Sequence, residues 1–278
     1  MRLPLFAVDD VIDRALREDI HYLDTTTDYL IEEEAMGRAY LLSKAEGVLC
    51  GLEVAMRVFE RLDAGFSYQA YKKEGDRLQK GERIASLTGH TRALLKGERT
   101  ALNLLQHMSG IATATAQAVR LVEGTHASIT DTRKTLPGLR SLQKYAVVCG
   151  GGKNHRYNLS DGAMLKDNHI DAAGGITNAI TLLRGKLGHM VKIEVETRNL
   201  DEVAEALHAG AEIIMLDNMS LEAMRKAVAM AKGKALIEAS GGITLETLRP
   251  VAETGVDIIS IGALTHSVKA FDISMKLV

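Results

Sequence analysis

Residues 191–217, VKIEVETRNLDEVAEALHAGAEIIMLD, set the architecture of the second half of the chain. An apolar run rich in β-branched residues lies near each end, and residues 200–209 between the two runs have apolar side chains at helical spacing. Short apolar strands that alternate with helices indicate parallel strands buried on both faces. Further helices are predicted at 221–232 and 245–253. The other predicted strands are SITDTR (128–133), AVVCGG (146–151), GAMLKD (162–167), ALIEAS (235–240) and DIISIGA (257–263).

Seven such strands over about 140 residues predict either a doubly wound sheet or an α/β barrel. The residues at the carboxyl ends of the strands favour the barrel, because polar or glycine residues follow nearly every strand. A doubly wound sheet gathers its ligand residues near one switch point, whereas a barrel recruits them from all around its rim. The strand-end residues are Arg133, Lys166, Glu196, Asp217, Ser240 and Gly262.

The first part of the chain has a different composition and predicts an α+β domain. A helix is predicted at 8–20 and another at 51–62, with short strands and glycine-containing turns between 38 and 87. A long Ala/Leu-rich helix is expected at 96–122, with a break near Ser109 and Gly110. The domain transition is placed in this helix, which divides the chain into 1–105 and 106–266.

The overall composition excludes several classes of protein. The 278 residues carry a formal charge of -2, aromatic residues make up 4% and Trp is absent, so a nucleic-acid-binding platform is not expected. Two cysteines are too few and too unpatterned for a disulfide framework or a zinc site. The amino terminus meets acidic residues within ten positions and is expected to be neither a signal peptide nor an anchor. A cytoplasmic protein is therefore expected.

Cations are concentrated between Thr130 and Ile170, although the whole chain is close to neutral. Each of these residues alone could belong to a solvated surface. Their placement at several strand ends argues instead for a pocket that binds a small, highly anionic ligand, because buried cations need anionic partners. The cations are Arg133, Lys134, Lys153, His155, Arg156 and Lys166.

Two further patterns lie at strand ends. Ser240-Gly241-Gly242 and Gly262 predict a phosphate site, because barrels often bind phosphate in the loops after their last two strands. Glu196 and Asp217 end neighbouring strands, where carboxylates can hold Mg²⁺, bind sugar hydroxyls, act as bases or pair with the cations. The next residue, Asn218, is expected to face away from Asp217.

Seven motifs occur in order along the chain: GERTALNLLQHMSGIAT, TRKTLPGLR, KNHRYNLSDGAMLKDNHI, KIEVET, IMLDNM, EASGGI and DIISIGALTHS. Together they resemble quinolinate phosphoribosyltransferases, and the resemblance covers almost the whole chain. It implies an N-terminal α+β sandwich domain, an incomplete, seven-stranded TIM-like α/β barrel, and a return of residues 267–278 to the first domain. It also implies a homodimer in which the N-terminal domain of one subunit covers the barrel mouth of the other. One departure is that DTTT (24–27) lacks a preceding glycine common in the family.

The implied reaction joins quinolinate to 5-phosphoribosyl 1-pyrophosphate (PRPP) with Mg²⁺, giving nicotinate mononucleotide, pyrophosphate and CO₂ in de novo NAD synthesis. By resemblance, Arg99 reaches quinolinate from the partner subunit, and Glu196 and Asp217 bind ribose or, directly or indirectly, Mg²⁺. The phosphate would be held by Ser240, Gly241, Gly242, Gly262, Ala263 and Leu264, with His266 completing the site. The quinolinate and pyrophosphate side would be lined by Thr132, Arg133, Lys134, His155, Arg156 and Lys166.

Lys134, Lys166, Glu196 and Asp217 are the residues expected to act in catalysis. Three alternatives remain from the sequence. One is a ModD-like paralogue with a different substrate, and another is a barrel lyase that forms a Schiff base at Lys166. The third is a binding module without activity, which the number of convergent polar groups disfavours.

Overall fold

Helices and strands alternate along the chain in a computed structural model that describes residues 3–278. Up to residue 121 the elements are α1 (Leu5–Asp19), α2 (Thr25–Leu30), β1 (Met36–Ser43), β2 (Gly47–Val48), α3 (Leu52–Leu62), β3 (Ser67–Ala70), β4 (Arg77–Leu78), β5 (Arg83–His90) and α4 (Thr91–Leu121).

After residue 121 short strands, parallel except for the last one, are separated mostly by helices of four to eleven residues. The elements are β6 (Ser128–Thr130), α5 (Arg140–Cys149), β7 (Ala163–Leu165), α6 (Asp167–Ala173), α7 (Ile176–Arg184), β8 (Ile193–Thr197), α8 (Leu200–His208), β9 (Ile213–Asp217), α9 (Leu221–Ala231), β10 (Leu236–Ser240), α10 (Leu245–Ala252), β11 (Ile258–Ser260), α11 (Ala263–His266) and β12 (Ile273–Leu277).

The chain forms two compact units. The first contains the residues up to Ala116 together with Thr135–Gly151 and Ala263–Val278, and the second contains Gln117–Lys134 and Gly152–Gly262. This division differs from the boundary at residue 105 that the sequence predicts. The helix α4 contributes residues to both units, and α5 and α11 belong to the first unit.

In the first unit an antiparallel sheet has the strand order β12-β1-β5-β3. The last strand of the chain, β12, pairs with β1 at Leu41 and Met275. A separate two-stranded ribbon joins β2 and β4. The face of α1 that carries Val8, Ile12 and Leu16 is buried, as expected of an amphipathic helix.

In the second unit six parallel strands have the order β6-β11-β10-β9-β8-β7. Lys153 makes one parallel bridge to Thr130 on the outer side of β6, so it occupies the position of a seventh strand. Within residues 3–278 no strand pairing joins Lys153 to β7, and the barrel is therefore incomplete. The expected fold class, an α/β protein with an incomplete TIM-like barrel, is confirmed.

Side chains alternate along the barrel strands. In β8, Ile193, Val195 and Thr197 are almost fully buried and face one way, while Glu194 and Glu196 face the other. The carboxyl ends of parallel strands meet at one edge, which is where the predicted site residues lie.

Two local predictions are wrong. AVVCGG is not a strand, because residues 146–149 form the last turn of α5, in which Leu142, Ala146 and Val147 are buried. The predicted break in the long helix is absent, since α4 continues through Ser109 and Gly110. Gly110 is needed for close packing instead, because a Cβ atom there would overlap the carbonyl oxygen of Lys269.

No helix within residues 3–278 is both long enough and apolar enough to cross a membrane.

Candidate active site

A cavity of about 600 Å³ lies at the carboxyl ends of the barrel strands. It collects eleven of the residues that the sequence predicts for the site, from strands far apart in the chain. They are Thr132, Arg133, Lys134, His155, Arg156, Lys166, Glu196, Asp217, Ser240, Gly241 and Gly242. Met164, Met215, Asn218 and Ser260 complete the lining.

The cavity is strongly cationic on the side of β6 and the loop after Lys153. The Nε atom of Arg133 is buried and has no hydrogen-bond acceptor among the described residues. Arg156 donates from Nη1 to the carbonyl oxygen of Gly162 at 2.9 Å. Burial and repulsion from Arg133 lower the pKa of Arg156. An anion placed between the two guanidinium groups would satisfy Arg133 and relieve this repulsion.

Lys166 and Glu196 form an ion pair across neighbouring strands, with Nζ and Oε2 separated by 2.8 Å. Lys166 is 46% exposed and Glu196 is 17% exposed, so both remain accessible from the cavity. Nζ of Lys166 donates this hydrogen bond to Glu196, so the side chain is held at the cavity wall, where it can contact an anionic ligand.

Asp217 and Asn218 both face the cavity, so the expectation that Asn218 points away is wrong. Asn218 has a φ of 53°, the left-handed conformation, which turns its side chain back toward Asp217. Its Nδ2 donates to Oδ1 of Asp217 at 3.0 Å. A simple alternation of side chains along the strand does not hold beyond the strand end.

Two glycines form the floor of the cavity after β10. Gly241 and Gly242 have φ values of 92° and 60°, which side-chain-bearing residues rarely adopt. A Cβ atom at Gly241 would also overlap the side chain of Asn218. At Gly242 the nearest neighbour of an added Cβ atom would be Oδ1 of Asn218 at 3.6 Å, an ordinary contact, so the backbone there leaves room for a ligand. The helix α10 begins shortly afterwards with Thr244 as its N-cap.

The loop that carries His155 and Arg156 is held by a buried acid that the sequence analysis missed. Asp131 is 0% exposed and accepts hydrogen bonds from the backbone N–H of His155 at 2.9 Å and from Nδ2 of Asn154 at 2.5 Å. The sequence offered one indication of this role. Asp131 comes directly after a buried strand, where a charged side chain needs several hydrogen-bond donors.

A cluster of three ionisable side chains that the sequence did not predict lies inside the barrel. His155, Glu194 and Glu238 form part of the lining of a cavity of about 360 Å³ there. Nε2 of His155 is 3.1 Å from an oxygen of Glu194 and 3.6 Å from one of Glu238. Burial and the nearby charge of Glu194 raise the pKa of Glu238 to about 7. The charge of a second carboxylate nearby makes ionisation of the buried Glu238 costly, so Glu238 favours its protonated form.

These three groups are close enough to surround a metal ion. However, Nδ1 of His155 accepts a hydrogen bond from the backbone N–H of Arg156 at 2.8 Å. The ring proton is therefore on Nε2, where it points toward the two glutamates. A metal would need the lone pair of that same nitrogen, and the arrangement instead fixes the orientation of His155.

A family model described as the quinolinate phosphoribosyl transferase C-terminal domain matches residues 111–276, and the N-terminal domain model of the same family matches residues 24–109. The chain belongs to the quinolinate phosphoribosyl transferase family. The family resemblance inferred from the motifs is confirmed.

Relatives in this family match along almost the whole chain. A probable nicotinate-nucleotide pyrophosphorylase [carboxylating] of Bacillus subtilis is 48% identical over 260 residues, which are 94% of this chain and 90% of the relative. The nicotinate-nucleotide pyrophosphorylase [carboxylating] of Mycobacterium leprae is 42% identical, over 98% of this chain and 97% of the relative. The crystal structure of NadC from Streptococcus pyogenes is 44% identical, with a TM-score of 0.97 and coverage of 100% and 99%.

Five residues that the family resemblance assigns to the site are not among the residues that line the 600 Å³ cavity within the described chain. Arg99 is exposed on α4, and Ala263, Leu264 and His266 form most of α11; all four belong to the first unit. Leu264 is buried, so its side chain is part of the packing. Gly262 belongs to the second unit, two residues after the end of β11.

A larger cavity of about 720 Å³ borders β7, α6 and α7. Its lining is mostly Ala, Leu, Met and Val, with Arg156 and His169 among the few polar residues. A small polyanion needs charged partners, which the smaller, cationic cavity offers and this apolar lining does not.

Proposed function

We propose that this chain transfers the phosphoribosyl group of PRPP to quinolinate, with loss of CO₂. The products are nicotinate mononucleotide and pyrophosphate, which places the reaction in de novo NAD synthesis. The single observation that carries the proposal is the cavity itself, which combines convergent cations, an acid pair and an open glycine backbone.

The cations fit a substrate with two carboxylates. Arg133 has a buried Nε with no acceptor among residues 3–278, and Arg156 lies close enough for repulsion between the two guanidinium groups. Guanidinium groups bind carboxylates in a planar, bidentate geometry. Quinolinate would occupy this side of the cavity, with Lys134 contributing a further contact and His155 lining the wall.

The acids and glycines fit the second substrate. Glu196 and Asp217 can accept hydrogen bonds from ribose hydroxyls, and Gly241 and Gly242 leave the backbone open for the 5-phosphate. Mg²⁺ commonly binds proteins through one or two carboxylates together with substrate phosphates, and the Glu196–Asp217 pair fits that donor set. When bound, the ion would neutralise charge on the pyrophosphate.

The residues of the chain would act mainly by positioning and charge. Departure of pyrophosphate leaves oxocarbenium character on the ribose carbon, which the ring nitrogen of quinolinate attacks. The resulting pyridinium stabilises the carbanion formed when the 2-carboxylate leaves as CO₂. A proton from solvent water then adds to that ring carbon and gives nicotinate mononucleotide. The charged form of Lys166 would stabilise the departing pyrophosphate, and no covalent enzyme intermediate is required.

We also propose that the site is completed in a homodimer. Arg99 is exposed on α4, where a long cationic side chain is free to reach a neighbouring subunit. Ala263, Leu264 and His266 would contribute to the phosphate side, as the family resemblance implies.

We also propose that the protein acts in the cytoplasm. Both cysteines are free thiols in the structure, and a reducing compartment would keep them so.

Steady-state turnover with quinolinate, PRPP and Mg²⁺, omitting one component at a time, tests the proposal. Arg133→Ala should lower kcat/KM by at least ~10–100-fold, because a charge-assisted hydrogen bond contributes roughly 1.5–3 kcal/mol. Arg225→Ala, a matched change at an exposed position of α9, should leave kcat/KM unchanged. Equal losses in both variants, or turnover without PRPP, would overturn the assignment.

A further inference from the structure

The only two cysteines of the chain meet in the first unit, although they are roughly 100 positions apart in the sequence. The sulfur atoms of Cys50 and Cys149 and a carboxylate oxygen of Glu74 all lie within 4.8 Å of one another. Cys50 comes just before α3, and Cys149 is the last residue of α5. Sequence spacing gave no indication of this pair.

The two thiols differ in environment. Cys50 is 0% exposed, and burial raises its pKa well above the ordinary value. Cys149 is only half-buried, and a hydrogen bond with Cys50, assisted by one with Tyr145, lowers its pKa. Cys149 is therefore the more accessible and the more readily ionised thiol, while Cys50 is a protected neutral thiol beside it.

The backbone on both sides of the pair is fixed. The N–H of Cys50 donates to Oγ of Ser109 at 3.0 Å, and the same hydroxyl donates to the carbonyl oxygen of Cys50 at 3.0 Å. Beyond Cys149, Gly150 packs so tightly that a Cβ atom there would lie 2.6 Å from Cβ of Thr115. The sulfur atoms can therefore approach each other mainly by side-chain rotation.

The carboxylate of Glu74 favours an uncharged disulfide over ionised thiols at this position. Its carboxylate accepts hydrogen bonds from the backbone N–H groups of Gly51 at 2.7 Å and Glu53 at 3.3 Å, so it already stabilises the start of α3. The cluster offers three ligand groups among the described residues, whereas structural zinc sites almost always have four. A disulfide removes both ionisable thiols from the neighbourhood of this half-buried acid.

We propose that Cys50 and Cys149 form a reversible intramolecular disulfide when the protein meets a hydroperoxide. The Cys149 thiolate attacks one peroxide oxygen, the O–O bond breaks, and the leaving oxygen takes a proton, which leaves Cys149 as a sulfenic acid. The sulfur of Cys50 then attacks the Cys149 sulfur. The S–O bond breaks, and the hydroxide leaves as water with the Cys50 proton. The two thiols lose two electrons and two protons, and the peroxide is reduced.

Intact-mass and peptide analysis of the full-length protein, freed of metals with a chelator and then treated with hydrogen peroxide, tests this inference. The expected result is a loss of roughly 2 Da, a cross-link between the peptides that contain residues 50 and 149, and reversal by dithiothreitol. Because the bond closes a long loop, the oxidised protein should also melt roughly 5–15 °C higher than the reduced protein.

Single-thiol variants separate the two roles. In Cys50→Ser the sulfenic acid at Cys149 has no resolving thiol and should be trapped by dimedone, whereas Cys149→Ser should leave Cys50 unmodified at the same peroxide dose. Two free thiols in peroxide-treated wild type would overturn the inference. So would equal dimedone labelling of wild type and Cys50→Ser, or a zinc ion that the thiols retain through chelation. These readouts need no substrate, so they are independent of the proposed transferase reaction.

Discussion

Replacing Glu238 with Gln should stabilise the protein, and the gain should grow with pH. Glu238 is 1% exposed inside the barrel, and the groups that face it include Glu194 and His155. Its pKa rises from 4.5 to about 7 in the folded protein. The folded state therefore holds a proton that the unfolded state has lost, and wild-type stability falls as pH rises through this window.

The size of the effect follows from the shift. At about 1.4 kcal/mol per pKa unit, ionising Glu238 in the folded state reduces the unfolding free energy by ~3 kcal/mol above about pH 8. Gln has the same shape but does not titrate, so the stability difference between Glu238→Gln and wild type should increase by that amount between pH 4.5 and about pH 8. Urea titrations at several pH values measure it.

Glu34→Gln provides a matched control, because Glu34 is exposed. The unfolding free energy of the Glu34→Gln variant should change with pH in the same way as that of the wild type. If Glu238→Gln also ran parallel to wild type across the whole range, the reasoning that burial and Glu194 keep Glu238 protonated would be refuted.

Three further predictions concern the site. Asp131→Ala should lower the unfolding free energy by ~2–5 kcal/mol, since two half-buried donors lose their acceptor, while Asp131→Asn should lose less in chemical denaturation. Gly241→Ala should raise the KM for PRPP and lower the Tm, because its φ of 92° is strained by ~1–2 kcal/mol for an alanine. Arg99→Ala and Lys166→Ala should each be inactive, yet a mixture of the two should recover about one quarter of wild-type activity, since half of the dimers are mixed and each has one intact site. No recovery after subunit exchange would contradict a shared site.

The barrel could be predicted because its strands and helices repeat in a regular rhythm. Strands β8 to β10 have apolar residues on the helix-facing side, and their carboxyl ends meet at one edge. This is why Arg133, Glu196 and Gly241, which are far apart in sequence, could be assigned to one site from their positions at strand ends alone. The family motifs extended the same reasoning to the first unit.

Local conformation was less predictable where short segments allow two structures. Val147 and Val148 favour a strand by composition, but the burial of Leu142, Tyr145 and Ala146 shows that tertiary packing selects a helix. At Asn218, a single left-handed residue reverses the direction that strand alternation predicts. Neither outcome depends on a pattern within the segment itself.

The supporting groups could not be predicted because they depend on contacts between distant segments. Asp131 and Asn154 become partners only when the loop after Lys153 lies beside β6. Glu194 and Glu238 are on β8 and β10, two strands that do not pair with each other. The sequence identifies charged residues, but only the fold determines which charges are buried together.

Release of CO₂ from the ring position next to nitrogen is the central claim, and isotope labelling measures it directly. The protein is incubated with PRPP, Mg²⁺ and quinolinate that carries ¹³C in its 2-carboxylate. We predict one labelled CO₂ for each nicotinate mononucleotide, and little product when nicotinate replaces quinolinate, because the missing carboxylate leaves buried cations unpaired. Mononucleotide without labelled CO₂, or no product from the folded protein, would contradict the account.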